Sequence, residues 1–517
     1  MRTKTGLEVA TLVLGTLAST AAAWKRGTPK ADPAKASEVK KAFQTAWDGY
    51  YEFTFPHDTL MPVSAGIADD RNYWGATAVD ALSTAIIMED AKTVDQILSY
   101  IPIIDFNTTI EVNSSISLFE TNIRYLGGLM SGYDLLKGPF RKLVHDYNLY
   151  NVDSLLRQAK TLADGLSIAF DTPTGIPINT VFFNPTRRAN VSEDTNGPAG
   201  FGTLVLEWTR LSDLTGNKTY AELAQKAQKY LVDPVPTGVP QGYPGLVGIT
   251  VNITTGQFTD NRGHWGGGVD SYYEYLIKMY LYDPEEFSHY KDRWVEVANS
   301  TMEHLVSHPS SRPDITFLAG YNDTRIIPSS QHLASFAGGN FILGGLLLNE
   351  PKYIDFGITL TESYYETYVQ TASKIGPEVF RWIPAGNDTA PPAEDAAFYA
   401  KAGFWATYKD YVLRPETLES LYYAYRMTGD KKYQTMAWDA FTAIRDRCRA
   451  GVAFSGLTDV TLPDGGKKDD YQESFFLAET LKYAYLIFAE DSDVQFQGRR
   501  KNKFVFNTEA HPFRIRA

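Results

Sequence analysis

One cysteine in 517 residues, Cys448, excludes any intrachain disulfide, so packing and hydrogen bonding must hold this fold together. At the end of Arg445-Asp446-Arg447-Cys448 it reads as a small residue closing a helix, not as a nucleophile. Basic charge is also short. The 49 Lys and Arg against 61 Asp and Glu leave a net charge of −12, which argues against nucleic acid or an anionic membrane surface as partner. Linkers are missing too. Length alone allows about three domains, but no Pro/Ser/Gly-rich stretch or charge block interrupts the body, so a single large helical domain is the better reading. The aromatic content of 13% suits a carbohydrate-handling surface and equally any large secreted protein, so it decides nothing.

At the N-terminus, Arg2 and Lys4 precede a mostly apolar run over 9–23 that ends in small residues. That is the layout of a secretory signal peptide, residues 1–23. The run is short for a membrane span; as an uncleaved anchor it would instead keep the protein in the endoplasmic reticulum or Golgi lumen. Residues 24–35, with the dibasic pair Lys25-Arg26, read as a stalk or propeptide, and 36–517 as the folded domain. Asn-x-Ser/Thr sequons at Asn107, Asn113, Asn190, Asn217, Asn252, Asn299, Asn322 and Asn387 support secretion.

What the body does contain is acid in apolar helical company. The run Ser117-Leu118-Phe119-Glu120-Thr121-Asn122-Ile123-Arg124 sets Glu120 and Arg124 at i and i+4, on one helix face. Burying both charges is costly unless they are paired, and alone the pair fits a structural lock as well as it fits chemistry. The pattern recurs at Glu207, Asp270, Glu416, Glu419, Glu473 and Glu479. Charged residues are rarely fully buried without partners. Repeated in separate helices, they imply a shared polar cavity that works on sugars, holds a hard cation, or does both.

Helical periodicity predicts helices over 36–51, 75–88, 115–136, 152–170, 202–214, 220–231, 270–281, 285–306, 332–347, 353–371, 415–427, 431–449 and 473–490. A short β-hairpin is expected over 249–259, turning at Thr255-Gly256. The junctions Thr215-Gly216-Asn217 and Thr428-Gly429-Asp430 each close one helix with glycine and open another. A barrel of αα-hairpins does this, with inner helices pointing acids at the axis. The apolar, extended segment 504–512 needs cover, either as a plug in one end of such a barrel or as a strand on its outside.

The motifs Phe119-Glu120-Thr121-Asn122-Ile123-Arg124, Asp270-Ser271-Tyr272-Tyr273-Glu274-Tyr275, Arg414-Pro415-Glu416-Thr417-Leu418-Glu419-Ser420 and Glu473-Ser474-Phe475-Phe476 come in this order. Together they resemble glycoside hydrolase family 47, the class I α-1,2-mannosidases, in its fungal secreted branch. The resemblance covers nearly the whole body, from Phe55-Pro56-His57-Asp58 to Phe506-Asn507-Thr508-Glu509-Ala510-His511-Pro512. It implies an all-α fold: an (αα)7 barrel of helical hairpins with small β-hairpins, one C-terminal β-segment plugging the barrel. It also implies a Ca²⁺ cofactor and, as substrate, high-mannose N-glycans on glycoproteins, trimmed by a secreted monomer with inversion at the anomeric carbon.

By that resemblance Glu120 matches the general acid, Glu416 the base that activates water, and Asp270 and Glu378 further catalytic carboxylates. The division of roles between Glu120 and Asp270 stays open. Thr508 matches the residue that holds Ca²⁺ through its hydroxyl and carbonyl oxygens, with waters held by Glu479 and Glu509. Arg124, Glu207, His332, Arg414, Glu419, Phe475 and Glu479 match positions around the bound sugar. On residue type alone, His332 is more often a satisfied core histidine, and Phe475 is equally a core aromatic beside Phe476. The chemistry is coherent, because inverting glycosidases need an acid and a base about 6.5–9.5 Å apart with a water between, and Ca²⁺ takes oxygen ligands in flexible geometry.

Two departures stand out. Where relatives commonly carry a disulfide, this chain has Ser335 and Tyr364, which predicts lower stability around an intact site. The loop before Asp270 reads Trp265-Gly266-Gly267-Gly268; enzymes of the endoplasmic reticulum that remove a single mannose carry arginine at what looks like Gly268, so glycine predicts broader trimming. Two other classes remain: a mannose-binding quality-control protein with weak or no hydrolysis, and an unrelated helical-barrel glycosidase or epimerase that needs neither Thr508 nor calcium. The presence of every catalytic carboxylate speaks against the first.

Overall fold

The computed structural model describes residues 27–516 apart from 146–147, 237, 240, 388 and 499–500. The signal peptide expected at 1–23 and the pair Lys25-Arg26 lie outside the described residues. Among those described, seven helix pairs pack side by side: Ala76–Ile87 with Ala91–Tyr100, Gly127–Leu136 with Leu149–Leu166, Val205–Thr215 with Thr219–Val232, Asp270–Tyr282 with Ser288–Ser300, Ala337–Leu348 with Pro351–Gln370, Glu416–Thr428 with Lys431–Cys448, and Leu481–Leu486 with Pro33–Phe53. The first member of each pair touches the first member of the next, and the ring closes through the turn Phe476–Thr480 packed on Ala76–Ile87. This is an (αα)7 barrel. Every residue of the inner helix Ala76–Ile87 is buried, the polar Thr77, Asp80, Ser83 and Thr84 included, as expected of a helix enclosed on all sides. The outer helix Thr219–Val232 buries only Tyr220, Ala224, Ala227, Gln228 and Leu231, one face of a helical repeat.

The last pair joins the chain's two ends and moves the expected boundary. Its outer helix opens at Pro33, where the Asp32 carboxylate accepts from Lys35 N at 3.2 Å. Lys30 N donates to the Tyr425 hydroxyl at 2.7 Å, which donates back to Lys30 O at 2.6 Å. The stalk expected over 24–35 is therefore corrected from Lys30 onward: these residues are packed on the barrel. The helix Ala91–Tyr100 was not anticipated, although Val94, Ile97, Leu98 and Ile101 are buried at helical spacing.

Of three expected elements, two are built differently. The span 115–136 is a strand, Ser115–Ser117, then a helical turn Leu118–Thr121, a π-helical turn Asn122–Leu126 and the helix Gly127–Leu136. The 249–259 hairpin turns where expected, with Asn252 N donating to Gln257 O at 2.9 Å, Thr259 N to Thr250 O at 3.0 Å and a Val251–Phe258 bridge. Val251–Asn252 pairs on its other edge with Thr195–Asn196. At the C-terminus, Phe504–Phe506 pairs antiparallel with Pro512–Arg514, so two strands and a turn replace the single segment. That turn is the plug. Asn507 O, Ala510 O and the His511 ring are reached by Lys278, Lys482 and Ser83, each from a different inner helix.

Asp58, from the first motif, has 0% exposure and accepts backbone N–H bonds from Arg71, Tyr73, Trp74, Gly75 and Ala76. It thereby satisfies the open N-terminus of the inner helix Ala76–Ile87, which lacks a side-chain cap of its own. Ser335 and Tyr364 are likewise satisfied, Ser335 Oγ donating to His332 O at 2.6 Å and the Tyr364 hydroxyl 2.6 Å from Ser330 Oγ. Cys448 is buried and free. No helix among the described residues is long and apolar enough to cross a membrane.

Candidate active site

One end of the barrel holds a cavity of about 430 Å³ lined by the first residues of the inner helices Asp270–Tyr282 and Glu416–Thr428 and by turns and loops that lead into most of the others. Ser117 caps the turn that presents Glu120, its hydroxyl accepting from Glu120 N at 3.3 Å. In a full capping box the glutamate would reach back to the cap; here Glu120 instead accepts from Arg124 Nε at 2.9 Å and keeps its carboxylate on the cavity. Asp270 and Glu416 are the first residues of their inner helices. Phe475, Glu479, Thr508 and Glu509 complete the acidic end of the lining, with Phe475 under the Arg124 guanidinium at 5.6 Å. Arg124 and Glu479 both lie on π-helical turns, a distortion frequent at functional sites.

Arg124 is the electrostatic centre. Its guanidinium also bonds Glu509, Ser474 Oγ at 3.0 Å and Asp80 at 3.4 Å. Burial raises the Glu120 carboxyl, but Arg124 and Arg71 outweigh it and hold Glu120 below its ordinary range. Glu416 is treated the same way by other partners. Burial pushes it up, yet the His332 ring at 2.7 Å and the nearby Arg414 bring it down, so it stays ionised. Among the described residues no cation pairs with Asp270. Burial lifts it to about 7, with Glu274 and Glu416 adding to the rise against the opposing bond from Ser271 N. One cavity thus holds two carboxylates kept charged and one carboxyl that keeps its proton near neutrality, the separation that acid–base work needs.

The sequence model of glycosyl hydrolase family 47 matches residues 42–515. The chain belongs to glycosyl hydrolase family 47. It is 55% identical over 482 residues to mannosyl-oligosaccharide alpha-1,2-mannosidase 1B of Aspergillus phoenicis, covering 93% of this chain and 91% of that one. It is 52% identical over 490 residues to mannosyl-oligosaccharide alpha-1,2-mannosidase of Penicillium citrinum, covering 95% and 94%. Among solved structures it resembles alpha-1,2-mannosidase from Trichoderma reesei with a TM-score of 0.92 and 59% identity, over 94% of this chain and all of that one. Family membership removes the unrelated-barrel alternative.

Within this family 47 chain, Glu120, Arg124, Asp270, Arg414, Glu416, Phe475, Glu479, Thr508 and Glu509 all line the cavity. Glu207, His332, Glu378 and Glu419 do not; they stand one layer behind. His332 bridges Glu416 and the Tyr368 hydroxyl, both at 2.7 Å. Glu378 grips Arg414 Nε at 2.5 Å, and its backbone oxygen accepts from His332 N. Glu419 accepts from the Tyr483 hydroxyl at 3.2 Å. Glu207 accepts from the Tyr275 hydroxyl at 2.7 Å and from Asn507 Nδ2 at 2.9 Å; the same Tyr275 oxygen receives Thr508 N at 3.1 Å. Glu207 thus positions the Thr508 turn.

Burial lifts Glu207 to about 7 from its ordinary 4.5. The folded chain then holds this proton more tightly than the unfolded one, so its contribution to stability falls as pH rises from 4.5 towards 7 and stays lost above. Glu207→Gln cannot ionise. The Tm of the variant relative to the wild type should climb across that window and level off above it; a constant difference from pH 4 to 8 would contradict the assignment.

Sequence reasoning missed Asp80, buried with 0% exposure and bonded by Arg124, Ser474 and the His511 ring. The signal was present: Asp80 is an acid inside the apolar run Ala76–Ile87. It also missed Asn179 and Asn196 on the lining. Asn179 Oδ1 accepts from Phe119 N at 3.0 Å and braces the Glu120 turn from a distant loop, which no local pattern announces.

Proposed function

We propose that this chain is an inverting, Ca²⁺-dependent mannosyl-oligosaccharide 1,2-α-mannosidase that trims terminal α-1,2-linked mannose from high-mannose N-glycans. The convergence of Glu120, Asp270 and Glu416 on one cavity floored by Thr508 carries this reading. Glu416, kept ionised by His332 and Arg414, takes the proton of the attacking water. Asp270, the carboxyl that retains its proton near neutrality, supplies one to the leaving oxygen, and Glu120 with Arg124 orients the sugar and its hydration. Phe475 offers its ring to a pyranose face. Gly268 has φ +94° and open space around a would-be Cβ, which supports trimming of more than one mannose. Six sequon asparagines, Asn107, Asn113, Asn217, Asn299, Asn322 and Asn387, are exposed, which supports a glycosylated, secreted chain.

No three His, Cys, Asp or Glu side chains among the described residues converge to grip an ion directly. The donors around Thr508 fit a different mode: its hydroxyl and carbonyl oxygens, with water held by Glu479 and Glu509. Burial pushes Glu419, Glu479 and Glu509 upward, and repulsion between neighbouring carboxylates adds to it in each. A divalent cation offsets both effects; when bound it supplies a fixed positive charge and coordination for sugar hydroxyls. The test is digestion of a nine-mannose N-glycan with and without EDTA, followed by mass spectrometry and proton NMR. Several mannoses should leave, first as the β-anomer, and EDTA should stop the reaction. First release as the α-anomer would exclude inversion, and undiminished activity in EDTA would exclude the ion.

A further inference from the structure

The cavity accommodates only the terminal sugars of an oligosaccharide, and the rest must lie on whatever adjoins its mouth. A three-stranded sheet, Ser329–Gln331, Val379–Arg381 and Trp405–Tyr408, stands there. It is tied to the cavity at three points. Gln331 Oε1 accepts from Gly267 N at 2.9 Å, and Gly267 lines the cavity. Leu333, two residues on, lines it as well. Glu378, just ahead of the central strand, holds the lining residue Arg414.

The register of this sheet puts its aromatics on one face. Gln331 pairs with Val379 and Val379 with Tyr408, while Ser329 pairs with Arg381 and Arg381 with Trp405. Trp405 and Tyr408 are three residues apart and would point to opposite faces of a regular strand. The register shift between Val379 and Phe380 leaves Thr407 as an extra residue, a bulge that turns both rings to the same side. The opposite face, Ser330, Phe380 and Ala406, is buried at 1–6% exposure. The aromatic face is open, with Tyr408 64% exposed, Arg381 exposed and Trp405 half-buried, its ring against Tyr399 at 5.6 Å. Two strand spacings separate Tyr408 from Gln331, roughly 10 Å, within reach of an oligosaccharide whose end is in the cavity.

We infer that this face, Tyr408, Trp405 and Arg381 with Gln331 at its inner edge, is a carbohydrate platform that binds the uncleaved mannosyl residues of the substrate. The inference rests on the α-mannosidase reading. Flat rings beside guanidinium and amide donors match a pyranose, which has an apolar C–H face and a rim of hydroxyls. The bond from Gly267 on the cavity wall to Gln331 on the sheet makes the occupant the same glycan.

The test compares Tyr408→Ala and Tyr408→Phe with the wild type on α-1,2-mannobiose, which fills the cavity alone, and on a free nine-mannose glycan. Tyr408→Ala should raise KM for the large glycan about tenfold, the loss of one well-stacked ring, and leave its kcat and the mannobiose kinetics unchanged. Tyr408→Phe should restore KM. An unchanged KM for the large glycan, or an equal loss on both substrates, would overturn the platform. A wild-type protein that releases mannose from neither substrate would overturn the activity instead.

Discussion

Glu416→Gln should lower kcat by about 10²–10⁴-fold, the usual contribution of a positioned general base, while mannose still binds. Glutamine keeps the shape beside His332 and Arg414 but cannot take a proton from water. Single-turnover hydrolysis gives the rate, and isothermal titration with mannose gives the affinity; a variant within tenfold of wild-type turnover would remove Glu416 from the base role. The same assay settles the acid. Asp270 at about 7 predicts that kcat/KM falls on the alkaline side as Asp270 loses its proton and on the acid side as Glu416 gains one. Glu120→Gln should therefore be slower yet keep the alkaline limb, because Glu120 is already ionised beside Arg124. If Glu120→Gln erases that limb, the acid is Glu120.

Arg124→Leu should destabilise the protein as well as inactivate it. The guanidinium serves Glu120, Asp80 and Glu509, with its own side chain only 7% exposed. Removing one partner of a buried ion cluster costs about 3–5 kcal/mol, because the carboxylates left behind keep their desolvation penalty. Unfolding entropy is about 2 cal/mol/K per residue, or ~1 kcal/mol/K for a chain of this length, so the shift in Tm is only about 3–5 °C. Differential scanning calorimetry at one scan rate resolves it. A Tm within 1 °C of wild type would mean that the three acids find other partners or protonate without cost.

Both expectations depend on how separate segments meet, and here the chain was unevenly legible. Glu120 and Arg124 could be paired from their spacing, since four residues along a helix share a face, and the pair survives even though a π-helical turn replaces the expected regular helix. Acids inside apolar runs marked Asp270, Glu416 and Glu479 because a buried charge needs a reason. The same signal marked Asp80 and went unread. Helical period and glycine-closed junctions suggested a barrel of αα-hairpins and the family resemblance implied its sevenfold form; its closure by the first helix against the last was in neither.

What the sequence by itself determined is local: which segments are helical, which faces are apolar, and which acids are too deep in apolar surroundings to be solvated. Family motifs added the chemistry. Only the tertiary structure decided that, among the described residues, no cation pairs with Asp270, while Arg124 and Arg71 flank Glu120 and Arg414 and the His332 ring flank Glu416. It alone put Glu207 behind Thr508 through Tyr275, and it alone turned Trp405 and Tyr408 to one face through a bulge. The physical reason is common to all three. A proton's affinity and a ring's direction depend on neighbours tens or hundreds of residues away in the chain, and those neighbours are set by packing, not by local pattern.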